Sequence, residues 1–308
     1  MSPTAAGVLF KLASTIAFAF MLTLIKLVSG RVPPGEMLFF RSFFGIVPVV
    51  VYLAALGVFP ASLATMRPFG HVRRSLVGTA SMFCWFTAVT YLPLPDATAI
   101  SYSGPLFGVC LAALLLHERV RSFRWAAVGI GFLGVLIVLS EQLNGFDAGF
   151  HGSRAIGAAC ALASAMLGAV AAVTVRELTS TETTGAIVFY FLACGSAFSF
   201  VTLPFGWVVP SFADAGMLIV AGLFGGIGQV LMTQSYRLAE ASVIAPLDYI
   251  NMVWIVVISY LIFGDVPTVV VLAGSLVVIA SGVFVVWRER RLGILEAKAR
   301  ARSADTPT

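Results

Sequence analysis

Long runs of apolar residues, separated by short polar or Gly/Pro-containing connections, dominate the chain. Each run is about 20 residues long, which matches the roughly 30 Å hydrocarbon layer of a bilayer at a helical rise of about 1.5 Å per residue. The pattern therefore predicts an all-α integral membrane protein with ten transmembrane helices. The predicted spans are 8–29, 36–57, 75–92, 97–116, 123–139, 153–175, 185–205, 217–236, 242–263 and 268–287.

The composition leaves little room for a soluble domain. Of the 308 residues, 59% are hydrophobic and only 11% are charged, whereas soluble domains carry about 25% charged residues. The four cysteines all lie inside predicted spans, where thiols pack as small apolar groups. Their spacing indicates neither a disulfide framework nor a zinc site.

The basic residues are unevenly distributed over the connections. If the N-terminus is cytoplasmic, fourteen of the 19 Lys and Arg residues, Arg74 among them, fall in inside loops or in the tail 288–308. Only Arg31 and Arg154 fall in outside loops. Positive residues concentrate on the cytoplasmic side of membrane proteins. We therefore expect both termini in the cytoplasm of a multi-pass inner-membrane protein, and we attribute the net charge of +5 to topology rather than to a nucleic-acid partner.

The two halves of the chain resemble each other. Offsets of 145 to 150 residues superimpose Leu12-Ala13-Ser14 on Leu162-Ala163-Ser164, Lys26 on Arg176, Tyr91 on Tyr236, and Tyr102 on Tyr249. Each half holds five predicted spans, an odd number, so the halves must cross the membrane in opposite senses. We therefore predict inverted repeats at 8–140 and 153–287, followed by a basic cytoplasmic tail. Many secondary transporters have this architecture.

Several local patterns accompany the repeat. Phe39-Phe40-Arg41 follows Gly35 at the start of span two, and the segment 97–118 leads through Pro105 to Glu118. Its counterpart, 241–265, ends at Asp265. In these features the chain resembles the drug/metabolite transporter superfamily in its ten-span, EamA-type form. The resemblance covers about residues 8–287 and implies a carrier that exports or imports amino acids or other small metabolites.

Spans four and nine both carry proline beside polar residues. Proline removes a backbone donor and interrupts a helix, and paired interruptions in two halves of a transporter indicate a binding site near the midplane. The residues predicted to bind the solute here are Ser101, Tyr102, Ser103, Asp248, Tyr249 and Asn251. Those with predicted structural or gating roles are Gly104, Pro105 and Pro246.

Asp248 is the most costly of these residues. A carboxylate deep in the apolar layer is disfavoured by about 2.5–3.5 kcal/mol on insertion scales. It is interpreted as an ammonium-binding or proton-coupling acid, as a structural partner of Lys11 or a hydroxyl, or as a shallower group facing the cytoplasm. Lys11 begins on the cytoplasmic side of span one, and its default expectation is a side chain that snorkels to water.

Arg41 lies about five residues into span two. Two interpretations remain open: it forms a structural ion pair with Glu36, or it reaches the carboxylate of a solute.

Span eight carries a stripe of small and polar residues. Gly222, Gly226, Gln229, Thr233 and Tyr236 recur at helical spacing. Small residues permit close helix packing in lipid. Gln229 and Tyr236 bring hydrogen-bonding groups that packing alone does not require, and Gln229 and Thr233 are predicted to bind the solute.

Aromatic side chains are frequent on the spans expected to line a cavity. Trp85, Tyr102 and Tyr249 offer ring faces for a flat apolar solute, which makes an aromatic amino acid a candidate substrate. Tyr91 and Tyr236, near span ends, are expected to serve as gating residues or as part of the interfacial aromatic belt.

These patterns favour a secondary active transporter. The sequence has no HExxH pair, no Walker motif and no histidine inside a span, so neither an enzyme nor an ATP-driven pump is expected. It also lacks the charged rings or filter loops of a channel. We expect a monomer or weak dimer that exports an amino acid by alternating access, without a cofactor or metal and with protons as a candidate coupling ion. Uptake of a larger metabolite such as S-adenosylmethionine or riboflavin is the alternative.

Overall fold

The computed structural model describes residues 3–115, 122–143, 153–239 and 241–304, which are helical with short connections and contain no β-strand. The predicted helix end at Glu118 lies outside these residues. The helices are α1 Pro3–Val28, α2 Pro34–Ala55, α3 Pro68–Tyr91, α4 Leu94–Ser101, α5 Gly104–Leu115, α6 Ser122–Leu143, α7 Ser153–Thr179, α8 Thr184–Ser199, α9 Phe212–Leu238, α10 Ala241–Ile244, α11 Ile250–Ile258 and α12 Val269–Ala304.

Five segments of the described chain are long and apolar enough to cross a membrane as single helices. They are Pro3–Val28, Pro34–Ala55, Ser153–Thr179, Thr184–Phe205 and Phe212–Leu238. Shorter apolar helical stretches cover Trp125–Glu141, Leu247–Phe263 and Val269–Val285.

The fourth and ninth spans are broken, as their prolines predict. Span four divides into α4 and α5, and Pro105 lies in the first turn of α5, where its missing N–H costs little. In span nine the 3-10 segment Ala245–Tyr249, which contains Pro246, separates α10 from α11. A π-helical turn, Ser259–Phe263, then ends that span. The sequence pattern did not indicate this turn.

Helix packing follows the repeat. Helix α1 packs on α9. Under the repeat α7 is equivalent to α1 and α3 is equivalent to α9, and α7 and α3 pack on each other in the same way. The α2–α8 and α6–α12 contacts each join two equivalent helices. Helix α1 begins at what we call the N-terminal face, whereas its counterpart α7 ends there, with Glu177 paired to Arg73 at the start of α3. The two halves therefore run in opposite senses.

Contacts between connections close the other face, which we call the opposite face. The Arg31 guanidinium lies 2.5 Å from the Asp214 carboxylate at the start of α9. Lys26 Nζ donates to the carbonyl oxygens of Val89 and Leu92, both at 2.7 Å, and so caps the end of α3. These bonds tie α1 to α3 and α9 on this face.

Two of the predicted span boundaries differ from the observed helix ends. Span three was expected to begin at Ser75, but α3 begins at Pro68. Arg74 is therefore a buried helix residue rather than a loop residue. The helix of span ten continues past Trp287 to Ala304, so most of the predicted tail is helical.

Close packing of α2 against α9 depends on glycine. A Cβ atom added to Gly226 would overlap the Gly45 carbonyl oxygen and lie 2.6 Å from Pro48 Cγ. Because one of these groups is backbone, the helices would have to separate. Gly216, in the same helix, has no such neighbour within 4 Å.

We predict that Gly226→Ala lowers the apparent melting temperature of the detergent-purified protein by several degrees, since overpacking costs about 1–3 kcal/mol. Gly216→Ala is the matched control and is expected to be neutral or slightly stabilising, because alanine favours helix. Equal melting temperatures for the two variants would contradict the close α2–α9 approach.

Candidate functional site

A cavity of about 310 Å³ lies where the two broken spans meet. Helix α1 contributes one wall, the α4–α5 break a second, and the 3-10 segment with the start of α11 a third. Its lining is Ser14, Thr15, Phe18, Ser101, Tyr102, Pro105, Met232, Asp248, Tyr249, Asn251 and Gly282. Five predicted solute-binding residues, Ser101, Tyr102, Asp248, Tyr249 and Asn251, are thus brought together.

An ion pair joins α1 to the break in span nine. Lys11 Nζ lies 2.6 Å from Asp248 Oδ1 and 5.1 Å from the centre of the Tyr236 ring. The Lys11 side chain is only 2% exposed, whereas that of Asp248 is 48% exposed and lines the cavity. The expectation that Lys11 snorkels to water is therefore wrong, because the ion pair with Asp248 holds the ammonium inside. Asp248 has the predicted Lys11 partner and still presents carboxylate surface to the cavity.

The two breaks contact each other directly. The Tyr102 hydroxyl donates to the backbone carbonyl of Asp248 at 3.3 Å, and the Tyr102 and Tyr249 rings pack edge to face with centroids 5.2 Å apart. Asn251 Oδ1 is buried without a hydrogen-bond partner. These two tyrosines, equivalent under the repeat, therefore fix the width of the cavity, and Asn251 leaves an acceptor available there.

A second cavity, of about 620 Å³, lies between α3, α7, α8 and α9. It reaches Thr179 and Ala239 at the N-terminal face. Its lining is Arg74, Gly78, Ser81, Met82, Trp85, Ser164, Gly168, Ala171, Ala172, Val175, Thr179, Phe191, Gln229, Met232, Tyr236 and Ala239. Met232 lines both cavities, so the two spaces adjoin at this side chain.

Two buried arginines share one aromatic ring beside the larger cavity. The Arg74 guanidinium lies 4.2 Å from the Phe191 ring centroid and that of Arg41 lies 5.5 Å from it. Arg41 is fully buried and Arg74 is 6% exposed. Arg41 donates one long hydrogen bond, 3.4 Å, to Gln229 Oε1. Among the described residues, the Nε and Nη1 atoms of both arginines have no hydrogen-bond partner.

Glu36 is not the partner of Arg41. Its carboxylate instead accepts from the backbone N–H of Val208 at 3.0 Å, on the opposite face. Within the part of the chain that the structure describes, neither Arg41 nor Arg74 forms an ion pair with a carboxylate. Burying a charge costs several kcal/mol even after relaxation, and a cation–π contact recovers only about 2 kcal/mol. The two guanidinium groups are therefore poorly compensated.

The remaining predicted residues divide between the cavities and the helix packing. Trp85, Gln229 and Tyr236 line the larger cavity. Ser103 and Thr233 line neither cavity, and their hydroxyls donate to carbonyls of their own helical segments. Tyr91 packs near Gly157 away from both.

Gly104 and Pro246, the other two predicted helix-breaking positions, lie at the breaks of spans four and nine. Gly104 faces the Ala165 carbonyl of α7. Pro246 belongs to the 3-10 segment. Among the described residues no three His, Cys, Asp or Glu side chains come together as metal ligands.

Sequence reasoning missed Arg74, Phe191 and Met232. Arg74 had been counted as a loop charge because it precedes the apolar run, and only the extra helical turns of α3 place it inside. Phe191 and Met232 have no sequence signal, since apolar residues occupy most positions of their spans. Ser14 and Ser164 did have one: they are equivalent under the 150-residue offset, and each lines one of the two cavities.

Comparison with known proteins gives the relatives of this chain. It is 29% identical to the pseudopaline exporter of Pseudomonas aeruginosa over 280 residues, covering 89% of this chain and 94% of that protein. The S-adenosylmethionine uptake transporter of Rickettsia conorii is 27% identical, with 86% and 87% covered. The riboflavin transporter of Rhizobium johnstonii is 26% identical, with 92% of each chain covered.

A solved crystal structure has the same fold. It superimposes with a TM-score of 0.67 at 22% identity and covers 94% of this chain and 99% of its own. The model of the EamA-like transporter family matches residues 5–140 and 155–287, one match in each half. The prediction of an all-helical, two-repeat membrane transporter is confirmed, as is the prediction that the protein is not an enzyme. The chain belongs to the EamA-like transporter family.

Proposed function

We propose that this protein is a secondary active transporter that exports amino acids or closely related small metabolites across the inner membrane. The observation that carries the proposal is the Asp248 carboxylate, which is half exposed to a cavity between two broken membrane helices. A carboxylate in that place suits the ammonium group of an amino acid or a coupling proton. Trp85 and Tyr102 provide aromatic surface for an apolar side chain.

Alternating access is supported by how the two faces differ. Ion pairs and caps close the opposite face, at Arg31–Asp214 and Lys26. The larger cavity reaches the N-terminal face, at Thr179 and Ala239. The equivalent α1–α9 and α3–α7 contacts offer two matching interfaces along which the halves can rock. In the exchanged state, the contacts of the opposite face would open and the larger cavity would close toward the N-terminal face, where Arg73 and Glu177 are already paired.

The N-terminal face is proposed to be cytoplasmic, because it carries Arg67, Arg73 and Arg237. A cavity that reaches this face would load from the cytoplasm, which supports export. The relatives include both an exporter and uptake transporters, so the direction has to be tested directly.

Cysteine labelling tests the orientation. In a background without the four native cysteines, Gly30→Cys in intact cells should react with a membrane-impermeant maleimide, and Ala64→Cys should react only after permeabilisation. Both positions are exposed, on opposite faces. The reverse labelling pattern would invert the proposed topology and with it the argument for export.

Counterflow in proteoliposomes tests the substrate class. Vesicles loaded with an unlabelled amino acid should accumulate the same labelled amino acid transiently, and phenylalanine or tryptophan is expected to give the largest signal. S-adenosylmethionine and riboflavin serve as the competing solutes. Exchange of either of these without exchange of any amino acid would replace the proposed substrate by the alternative.

Asp248→Asn tests the role of the carboxylate. We expect it to reduce amino-acid counterflow at least tenfold and to abolish its response to a pH gradient, because the amide can neither pair with an ammonium nor release a proton at neutral pH. Glu177→Gln is the matched control, since Glu177 is also 48% exposed and paired with a basic residue but lies outside both cavities. Normal exchange and normal pH response of Asp248→Asn would remove Asp248 from the mechanism.

A further inference from the structure

We propose that Arg74, with Arg41 behind it, forms a carboxylate-binding subsite in the larger cavity, so that a solute must carry a carboxylate to bind there. This inference rests on the proposed transport function but concerns a different part of the protein from Asp248. The ligand class is an organic carboxylate with an apolar, preferably aromatic, portion.

The first argument is the unused hydrogen-bonding capacity of the two arginines. Nε and Nη1 of each are buried without a partner. Buried donors are nearly always paired in folded proteins. Arg74 itself lines the larger cavity, and Gln229, which accepts the long bond from Arg41, lines it too. A carboxylate in this cavity accepts hydrogen bonds from a guanidinium in a two-pronged geometry.

The second argument is charge balance. Around the two cavities the Lys11 and Asp248 charges cancel each other. The charges of Arg41 and Arg74 have no acidic partner among the described residues. Two uncompensated positive charges in a low-dielectric interior attract an anion and repel a cation. The solute supplies the missing negative charge.

The third argument is that the fold holds Arg74 in place. Its guanidinium folds back over Gly78, one turn along α3, and a Cβ at that position would overlap Arg74 Nη1. Phe191 supports the group from α8 at 4.2 Å. Glycine at position 78 therefore leaves room for the Arg74 guanidinium along the cavity wall. Any larger residue at this position would compete with the guanidinium for the same space.

The test compares two ligands of nearly equal size. 3-Phenylpropionate and its amide, 3-phenylpropionamide, differ in the charged carboxylate alone. Their binding is measured by thermal shift of the detergent-purified full chain at a series of concentrations. We expect stabilisation by the acid and none by the amide. Arg74→Gln should weaken binding of the acid roughly ten- to hundredfold, since a hydrogen bond to a charged group is lost. Arg41→Gln should weaken binding by less, since Arg41 does not line the cavity and contributes only its positive charge.

Matched variants separate recognition from folding. Arg73→Gln changes the neighbouring arginine, which is 59% exposed and paired with Glu177, and should leave acid binding within about twofold. Gly78→Ala keeps both charges but displaces the Arg74 guanidinium, and it should weaken the acid in the same direction as Arg74→Gln. Without ligand, Arg74→Gln is expected to melt at the same temperature or higher, because it removes an uncompensated buried charge.

Three results would overturn the subsite. The first is equal stabilisation by acid and amide, and the second is no stabilisation of the wild type by the acid. The third is a lower melting temperature of ligand-free Arg74→Gln together with normal binding of the acid. That third result would indicate that Arg74 has a structural role. Counterflow is a separate measurement. Acid binding without exchange of any solute would contradict the proposed transport function but support the subsite. Exchange without selectivity for carboxylates would contradict the subsite but support the transport function.

Discussion

The cost of placing charge in a medium with little water governs this structure. Several charges of the described residues are compensated over short distances, among them those of the buried Lys11 and Asp214. Lys11 lies against Asp248, Arg31 against Asp214, and Lys26 caps the carbonyl end of α3. The same bonds also connect α1, or the residues directly after it, to other parts of the structure. They therefore compensate charge and position α1 at the same time. Arg41 and Arg74 are the exceptions. The unpaired donors of these two arginines are the basis of the proposed carboxylate-binding subsite.

The inverted repeat determines how the helices pack, and departures from the repeat determine which charged groups line the cavities. Equivalent helices pack equivalently, and Tyr102 meets its counterpart Tyr249 across the centre. The Lys11 charge does not follow the repeat: the position equivalent to Lys11 is Ala161 under the 150-residue offset. The two cavities differ in character, since the Asp248 carboxylate lines one and the Arg74 guanidinium lines the other. A solute that touches both meets groups of opposite sign.

Much of the candidate site could be predicted because it depends on local rules. Proline interrupts a helix wherever it falls inside one, so the breaks near Pro105 and Pro246 and the polar residues beside them were accessible from the sequence. Ser103 and Thr233 show the limit of that reasoning. The hydroxyls of Ser101 and Ser103 both donate to their own helix backbone, yet only Ser101 lines a cavity. The residue type does not tell which of the two faces the cavity.

The sequence by itself determined the ten apolar spans, the two repeats and their opposite sense, because hydrophobic length and the parity of five crossings follow from the order of residues alone. The tertiary structure decided which charges meet. Arg41 lies near Gln229 and Phe191 rather than Glu36, Arg74 lies inside rather than in a loop, and Lys11 is paired rather than extended to water. These outcomes depend on distances between residues that are far apart in the chain, and such distances are set by helix packing, which the hydrophobic pattern of a single span does not encode.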